Sequence, residues 1–445
     1  MRVRDLTILF SAVTLAATVV SASATAQPPT KLDAEVDRRA KALETKVVAW
    51  RRDIHEHPEL GNREFRTAKL VAEHLQKLGM EVKTEVGHTG VIGILKGGKP
   101  GPVVALRADM DALPVAEEVD LPFKSAVRTT YNGQDVGVMH ACGHDNHVAI
   151  LMGVAELLSG MKSELQGTVK FIFQPAEEGA PAGEEGGAEL MLKEGAFDNP
   201  KVDAVFGLHV FPFETGKIVY RSGGLMASSD SYKVVIRGRQ THGALPWNGI
   251  DPITISSQII SNMQSIVSRQ VDLTLTPAIL TVGYIRGGIR VNIIPDSVEF
   301  GGTIRTFDEP TRDSILVRFR RIVTGLATAN GATATIELTR GTPVTFNDPA
   351  LTERMAPSLR RALGADQVEI GRQTTTAEDF SLFQKAAPGV FYFLGVTPKG
   401  TDPSKIAPNH SPRFFADEGA LVPGVKALST LAIDYLAMNA NKPKM

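Results

Sequence analysis

The sequence predicts an α/β protein in two parts: a larger domain with a mixed sheet flanked by helices, and a smaller α+β domain inserted into it. Three observations carry this. The chain has 445 residues, more than one hydrophobic core usually serves. Helical periodicity alternates with short apolar, strand-like runs over both outer parts of the chain. Between them the pattern changes to strand, helix, strand, strand, helix, a self-contained unit of roughly 110 residues. These boundaries assign 31–216 and 332–445 to the larger domain and 217–331 to the insert.

Residues 1–26 read as a secretory leader. Arg2 and Arg4 precede an apolar run over 6–20, and Ala24-Thr25-Ala26 stands before Gln27. The expectation is an exported protein, periplasmic or secreted. The run is too short to span a bilayer comfortably, and no later stretch reads as a membrane span. A formal net charge of −1 without a basic block argues against nucleic acid or a membrane surface as partner. The single cysteine, Cys142, rules out an internal disulfide. A lone thiol in an oxidising compartment is a liability unless something occupies it.

In chain order, Val36, Ala40, Leu43, Val47 and Trp50 recur at helical steps until HEHPELG (55–61), where Pro58 and Gly61 break the pattern. A second helix is expected over 66–78. His55 and His57 sit at the break, where histidines are more often capping or packing residues than ligands. Strand-like runs follow at 90–95 and 103–107, the second leading into RADMDALP with Asp109 and Asp111 just past its end. Strand ends in open α/β sheets are where sites assemble, so Asp111 is a candidate ligand or a partner that orients one. Residues 139–147, MHACGHDNH, hold the cysteine and three of the ten histidines. Cys142 and His144 lie close enough to share one ion, as thiolate and imidazole do around zinc and similar metals.

A helix is expected over 148–158, then a buried strand over 168–174 that runs into PAEEG. In an extended backbone the adjacent Glu177 and Glu178 would point opposite ways, one to hold metal and one to act on water as general base. The apolar strand 202–210 carries His209 near its end. In the insert, an alternating strand over 231–237 leads to HGALPWNGIDP, whose His242 is suited to reaching a neighbouring surface. Helices are expected over 252–269 and 309–329, strands over 278–285 and 297–306, and Asn292 falls just before a turn. The larger domain resumes with the strand-like ATATIEL, a helix over 351–363 and AEDF (377–380). A strand over 390–396 leads to His410 between prolines, and a last helix spans 418–438.

Cys142, His144, Glu178, His209 and His410 are more N, S and O ligands than one tetrahedral ion needs, which points to two ions. With HEHPELG, LRADMDALP, MHACGHDNH, FQPAEEG, GLHV, HGALPWNGIDP, VNIIPD, AEDF and NHSPRF in this order, the chain resembles the M20 metallopeptidase family. Within it, the chain is most similar to the amidohydrolase branch of hippurate hydrolases, N-acyl-amino-acid amidohydrolases and auxin-conjugate hydrolases. The resemblance implies a catalytic domain with a dinuclear centre and an inserted lid that forms a homodimer. It implies metal ligation by Cys142, His144, Glu178, His209 and His410, and Glu177 as general base. It further implies that His242 steadies an oxyanion in the partner's site and that Asn292 contacts substrate. Two departures stand out. Asp109-Met110-Asp111 replaces the His-x-Asp of distant members, so Asp109 does not inherit the histidine's ligand role. The loop after Glu178, APAGEEGG, is longer than in the auxin-conjugate hydrolases, which leaves substrate preference open.

The expected activity is metal-assisted hydrolysis of the amide bond of N-acyl or N-aroyl amino acids. Zinc or manganese is the first expectation, with cobalt or nickel as alternatives. A dipeptidase or carboxypeptidase using the same centre is the nearest rival. A thiol amidase with Cys142 as nucleophile leaves Glu178, His209 and His410 without a purpose. A non-catalytic binder leaves Glu177 without one.

Overall fold

The computed structural model describes residues 31–440; the leader expected at 1–26 lies outside them. An eight-stranded mixed sheet forms the larger domain, in the order Glu81–Val86, Gly90–Lys96, Gln166–Gln174, Lys99–Asp109, Ala204–Glu214, Gly389–Thr397, Ile218–Tyr220, Val368–Ile370. Its four central strands are parallel. Strands covered on both faces read as continuous apolar runs, and Gly389–Thr397 is buried at every position. Helices Lys31–Glu56, His144–Ser159 and Leu421–Asn439 pack together on one face. The short helices Gly187–Lys193 and Phe380–Ala386 cover the other, around Ile172, Phe380 and Phe391.

One segment, Glu418–Asn439, is long and apolar enough to cross a membrane, contrary to the reading from sequence, but two-thirds of it is buried in the protein. Its apolar character serves the core.

The insert is a four-stranded antiparallel sheet, Ala278–Gly287, Ser297–Thr306, Asp230–Arg237, Thr333–Arg340. Helices Pro252–Gln270 and Glu309–Ala329 cover one face through Ile259, Ile315 and Phe319 against Val234, Ile236 and Phe300. Both boundaries drawn from sequence move. Thr333–Arg340, expected in the larger domain, pairs along its length with Asp230–Arg237. Ile218–Tyr220, expected in the insert, pairs with Gly389–Thr397 in the large sheet. Gly331 after a long helix looks like a domain end in one dimension, but the sheet edge needs one more strand to cover it.

Candidate metal centre

The parallel register brings the ends of Lys99–Asp109 and Gln166–Gln174 to the level of His209. Asp109 is paired with Gln174, just before the Glu177-Glu178 loop. Arg107 is paired with Gly207, which sets His209 level with Asp109. His209 is not at its strand's end, since that strand continues to Glu214. The helix expected at 148 starts earlier, at His144. Gly143 precedes it with φ +88°, a left-handed conformation that glycine adopts without strain.

Glu177 and Glu178 are the central residues of a turn in which the Gly179 N–H donates to the Ala176 carbonyl at 3.3 Å. The extended backbone expected there is absent, and the turn brings an oxygen of each carboxylate within 4.8 Å of the other and of His144 Nε2. The structure brings Cys142, His144, Glu178, His209 and His410 together. Cys142 Sγ is 3.3 Å from His209 Nε2 and 3.3 Å from His410 Nε2. His410 Nε2 is 2.9 Å from Glu178 Oε1, and His144 Nε2 is 4.0 Å from both Glu177 and Glu178. Donor atoms of Cys142, His144 and His209, and those of Cys142, Glu178 and His410, fall in groups with every atom within 4.8 Å of the others. Cys142 belongs to both.

Hydrogen bonds at the far nitrogen of a ligating histidine decide which nitrogen is free. His144 Nδ1 lies 3.2 Å from Asp111 Oδ1, and His209 Nδ1 lies 2.7 Å from the Val210 carbonyl. Both rings therefore offer Nε2 to the centre. His144 Nε2 is buried without a hydrogen-bond partner, as a donor awaiting a cation is. His147 differs: Nδ1 lies 2.5 Å from Asp109 Oδ1 and Nε2 accepts the Val210 N–H at 2.8 Å. Asp109 is also spoken for, by His147 and by Arg107 at 2.6 Å. Asn409, which the sequence did not single out, donates to the carbonyls of Cys142 at 3.1 Å and Val210 at 3.2 Å. Next to it His410 holds φ +69°, and its N–H donates to the Ala141 carbonyl at 2.8 Å.

Charge points the same way. Glu177, Glu178, Glu378 and Asp379 line the cleft with Asp109 and Asp111 close to its donors, and one guanidinium, that of Arg107, pairs with Asp109, Glu378 and Asp379. Burial, then Glu378 and Glu178, push the Glu177 carboxyl well above its ordinary value. Burial, then Glu178 and Glu177, push the Cys142 thiol well up. Burial disfavours charge on His144, but Asp109 and Asp111 outweigh it and raise its pKa to about 10. Divalent cations would answer this excess of buried negative charge and deprotonate a coordinating thiol, so the donors fit a metal centre.

Two expected site residues lie elsewhere. His242 and Asn292 are exposed neighbours on the insert, where the Gly243 N–H donates to the Asn292 carbonyl at 2.8 Å. Neither lines the cavity at the donor cluster. That cavity, of about 420 Å³, is lined on the insert's side by Arg305. Its guanidinium donates to the Ser228 carbonyl at 3.4 Å and makes no ion pair within 4.0 Å among the described residues. No sequence signal marked Arg305 out from the other arginines of the insert.

A two-domain α/β chain with such a donor cluster in its cleft, and a carboxylate beside it, is of the metal-dependent hydrolase class. The model of peptidase family M20/M25/M40 matches residues 105–434, and the chain belongs to that family. It is 42% identical over 398 residues to thermostable carboxypeptidase 2 of Saccharolobus solfataricus, covering 89% of this chain and 96% of the relative. It is 39% identical over 398 residues to N-acetylcysteine deacetylase of Bacillus subtilis, covering 89% of this chain and 98% of the relative. The crystal structure of Bacillus subtilis YXEP, a dinuclear metal binding peptidase from the M20 family, superposes with a TM-score of 0.75 at 36% identity. That match covers 89% of this chain and 99% of that one.

Proposed function

We propose that the protein hydrolyses the amide bond of N-acyl or N-aroyl amino acids, with two divalent ions, zinc or manganese, held by Cys142, His144, Glu178, His209 and His410. The observation that carries this is the convergence of Nε2, thiol and carboxylate donors beside Glu177, with His144 Nε2 buried and unpartnered. Ions in that position polarise an amide carbonyl and lower the pKa of water. Glu177 takes the proton from the attacking water and delivers it to the leaving amine nitrogen. Arg305, free of a carboxylate partner in the same cavity, would bind the free carboxylate of the amino acid. A second cavity of about 440 Å³ adjoins Glu178 and is walled by Leu60, Leu113, Val127 and Val138; it suits the acyl group.

The similarity to a carboxypeptidase favours a second reading, cleavage of peptides at a free C-terminus by the same residues. We further propose a homodimer formed through the insert, in which exposed His242 stabilises the oxyanion in the partner's cleft and Asn292 contacts substrate. Export by the leader at 1–26 belongs to the same proposal.

The test is hydrolysis of hippurate, N-acetyl amino acids and matching dipeptides, before and after chelation and metal restoration. Metal-dependent turnover of acylated substrates above dipeptides supports the first reading, the reverse order supports the second, and turnover that survives chelation rejects both. Arg305→Met should raise KM by about 10- to 100-fold for substrates with a free carboxylate, the worth of a charge-assisted hydrogen bond. It should leave the corresponding amides unchanged.

A further inference from the structure

The turn that carries Glu177 and Glu178 begins at Ala176, whose φ is +50°. For a residue with a Cβ this conformation costs on the order of 1–3 kcal/mol and persists only where the surroundings enforce it. Three glycines make room for it. A Cβ on Gly61 would come within 3.1 Å of the Ala176 Cβ, one on Gly186 within 3.2 Å, and one on Gly187 within 3.1 Å of the Ala176 carbonyl oxygen. Making room does not hold the conformation. Two buried carboxyls from elsewhere in the chain do, each accepting one backbone N–H of the turn. Asp111 Oδ2 accepts the Glu178 N–H at 3.0 Å. Glu64 Oε1 accepts the Ala176 N–H at 2.9 Å.

Glu64 is fully buried and precedes the helix Phe65–Lys77 without capping it. Its other oxygen accepts from the Thr89 hydroxyl at 2.5 Å, so both ends of the carboxyl are fixed. Nothing in the proposed chemistry uses this residue. A buried carboxyl is costly, and its hydrogen-bonded link to the centre is the amide of Ala176.

We propose that Glu64 is a positioning residue that holds Ala176 left-handed and thereby aims Glu177 and Glu178 to their separate tasks. The inference rests on the roles proposed for those two glutamates. Glu64 acts as a hydrogen-bond acceptor. Burial, then Asp111, push its carboxyl up to about 8, and a neutral isostere is therefore an adequate substitute. In Glu64→Gln the amide oxygen still accepts from Ala176, and the amide nitrogen faces a Thr89 hydroxyl able to accept.

The experiment compares wild type, Glu64→Gln, Glu64→Leu and Thr89→Val by two independent readouts. The first is hydrogen exchange of the Ala176 amide in chelated, metal-free full-length protein. Glu64→Leu should exchange at least about tenfold faster there than wild type or Glu64→Gln, because the Ala176 amide loses its buried acceptor. The second is steady-state kinetics of the metal-loaded enzyme. Glu64→Leu should lose about 10- to 100-fold in kcat with KM within about threefold, as a misplaced catalytic group does, and Glu64→Gln should restore it. Thr89→Val, which frees one oxygen of Glu64, should fall between the two and carries the test if Glu64→Leu does not fold. Unchanged exchange in both Glu64→Leu and Thr89→Val overturns the proposal. So does a Glu64→Gln variant as impaired as Glu64→Leu. Faster exchange with unchanged kcat retains the backbone clamp but rejects the positioning role. If wild type hydrolyses none of the substrates while exchange behaves as expected, the functional reading fails and the clamp stands.

Discussion

His144 and His147 lie three residues apart at the start of one helix, yet only His144 keeps a free nitrogen, because Asp109 and the Val210 N–H occupy both nitrogens of His147. At the scale of single residues, chemistry follows such pairings more than residue type. Glu177 is the group whose loss separates catalysis from binding. Glu177→Gln should lower kcat by about 10²- to 10⁴-fold, the usual worth of a general base. Metal content by elemental analysis should stay at the wild-type value, and a variant that loses metal as well would make Glu177 a ligand instead. Cys142, His144, Glu178, His209 and His410 were singled out in the sequence because cysteine and histidine are scarce there and Glu178 follows an apolar strand. Glu64, Asn409 and Arg305 were not. Asn409 works through carbonyls 267 and 199 positions away, and Glu64 through an amide 112 positions away.

Among the elements, three helix starts share one capping arrangement. Asp251, Asp308 and Asp348 each accept a backbone N–H in the first turn, with proline at one of the first two helical positions. That arrangement satisfies donors with no partner inside the helix. Asp348→Ala should lower stability by about 1 kcal/mol in denaturant unfolding. Strand Gln166–Gln174 holds a lysine that its apolar pattern did not explain. Lys170 is buried, and its Nζ donates to the carbonyls of Ala196, Asp198 and Pro200 at 3.0, 2.7 and 2.9 Å, tying the strand to the loop beside it. Burial lowers its pKa from 10.5 to about 8. The unfolded chain therefore binds more protons between these values, so this group adds stability as pH rises from about 8 to 10.5 and removes it as pH falls through 8. Denaturant unfolding across that range should show a rise in wild type that Lys170→Met lacks. Equal slopes would mean that Lys170 keeps an ordinary pKa.

At the scale of the whole molecule, the centre is assembled from segments far apart in the chain: 109–111, 142–144, 177–178, 209 and 410. A cation bound there binds the folded state alone and stabilises it by mass action, about 2.7 kcal/mol at a free concentration one hundred times Kd. Metal-free protein should melt at lower temperature than loaded protein, with Tm climbing as free metal is raised. An unchanged Tm would show that the donors are not a metal site. The same long-range assembly separates what each level of description determined. The sequence alone determined the two-part α/β architecture, most of the elements, the donor residues and the resemblance that named the family, because hydrophobic period and residue type are local properties. Tertiary structure decided the rest. It chose which histidine nitrogens are free, placed Glu177 and Glu178 in a turn, put Arg305 in the cleft, and gave strand Thr333–Arg340 to the insert. Most of these depend on a hydrogen bond or strand pairing between residues far apart in the chain, and such partners exist only once the chain has folded.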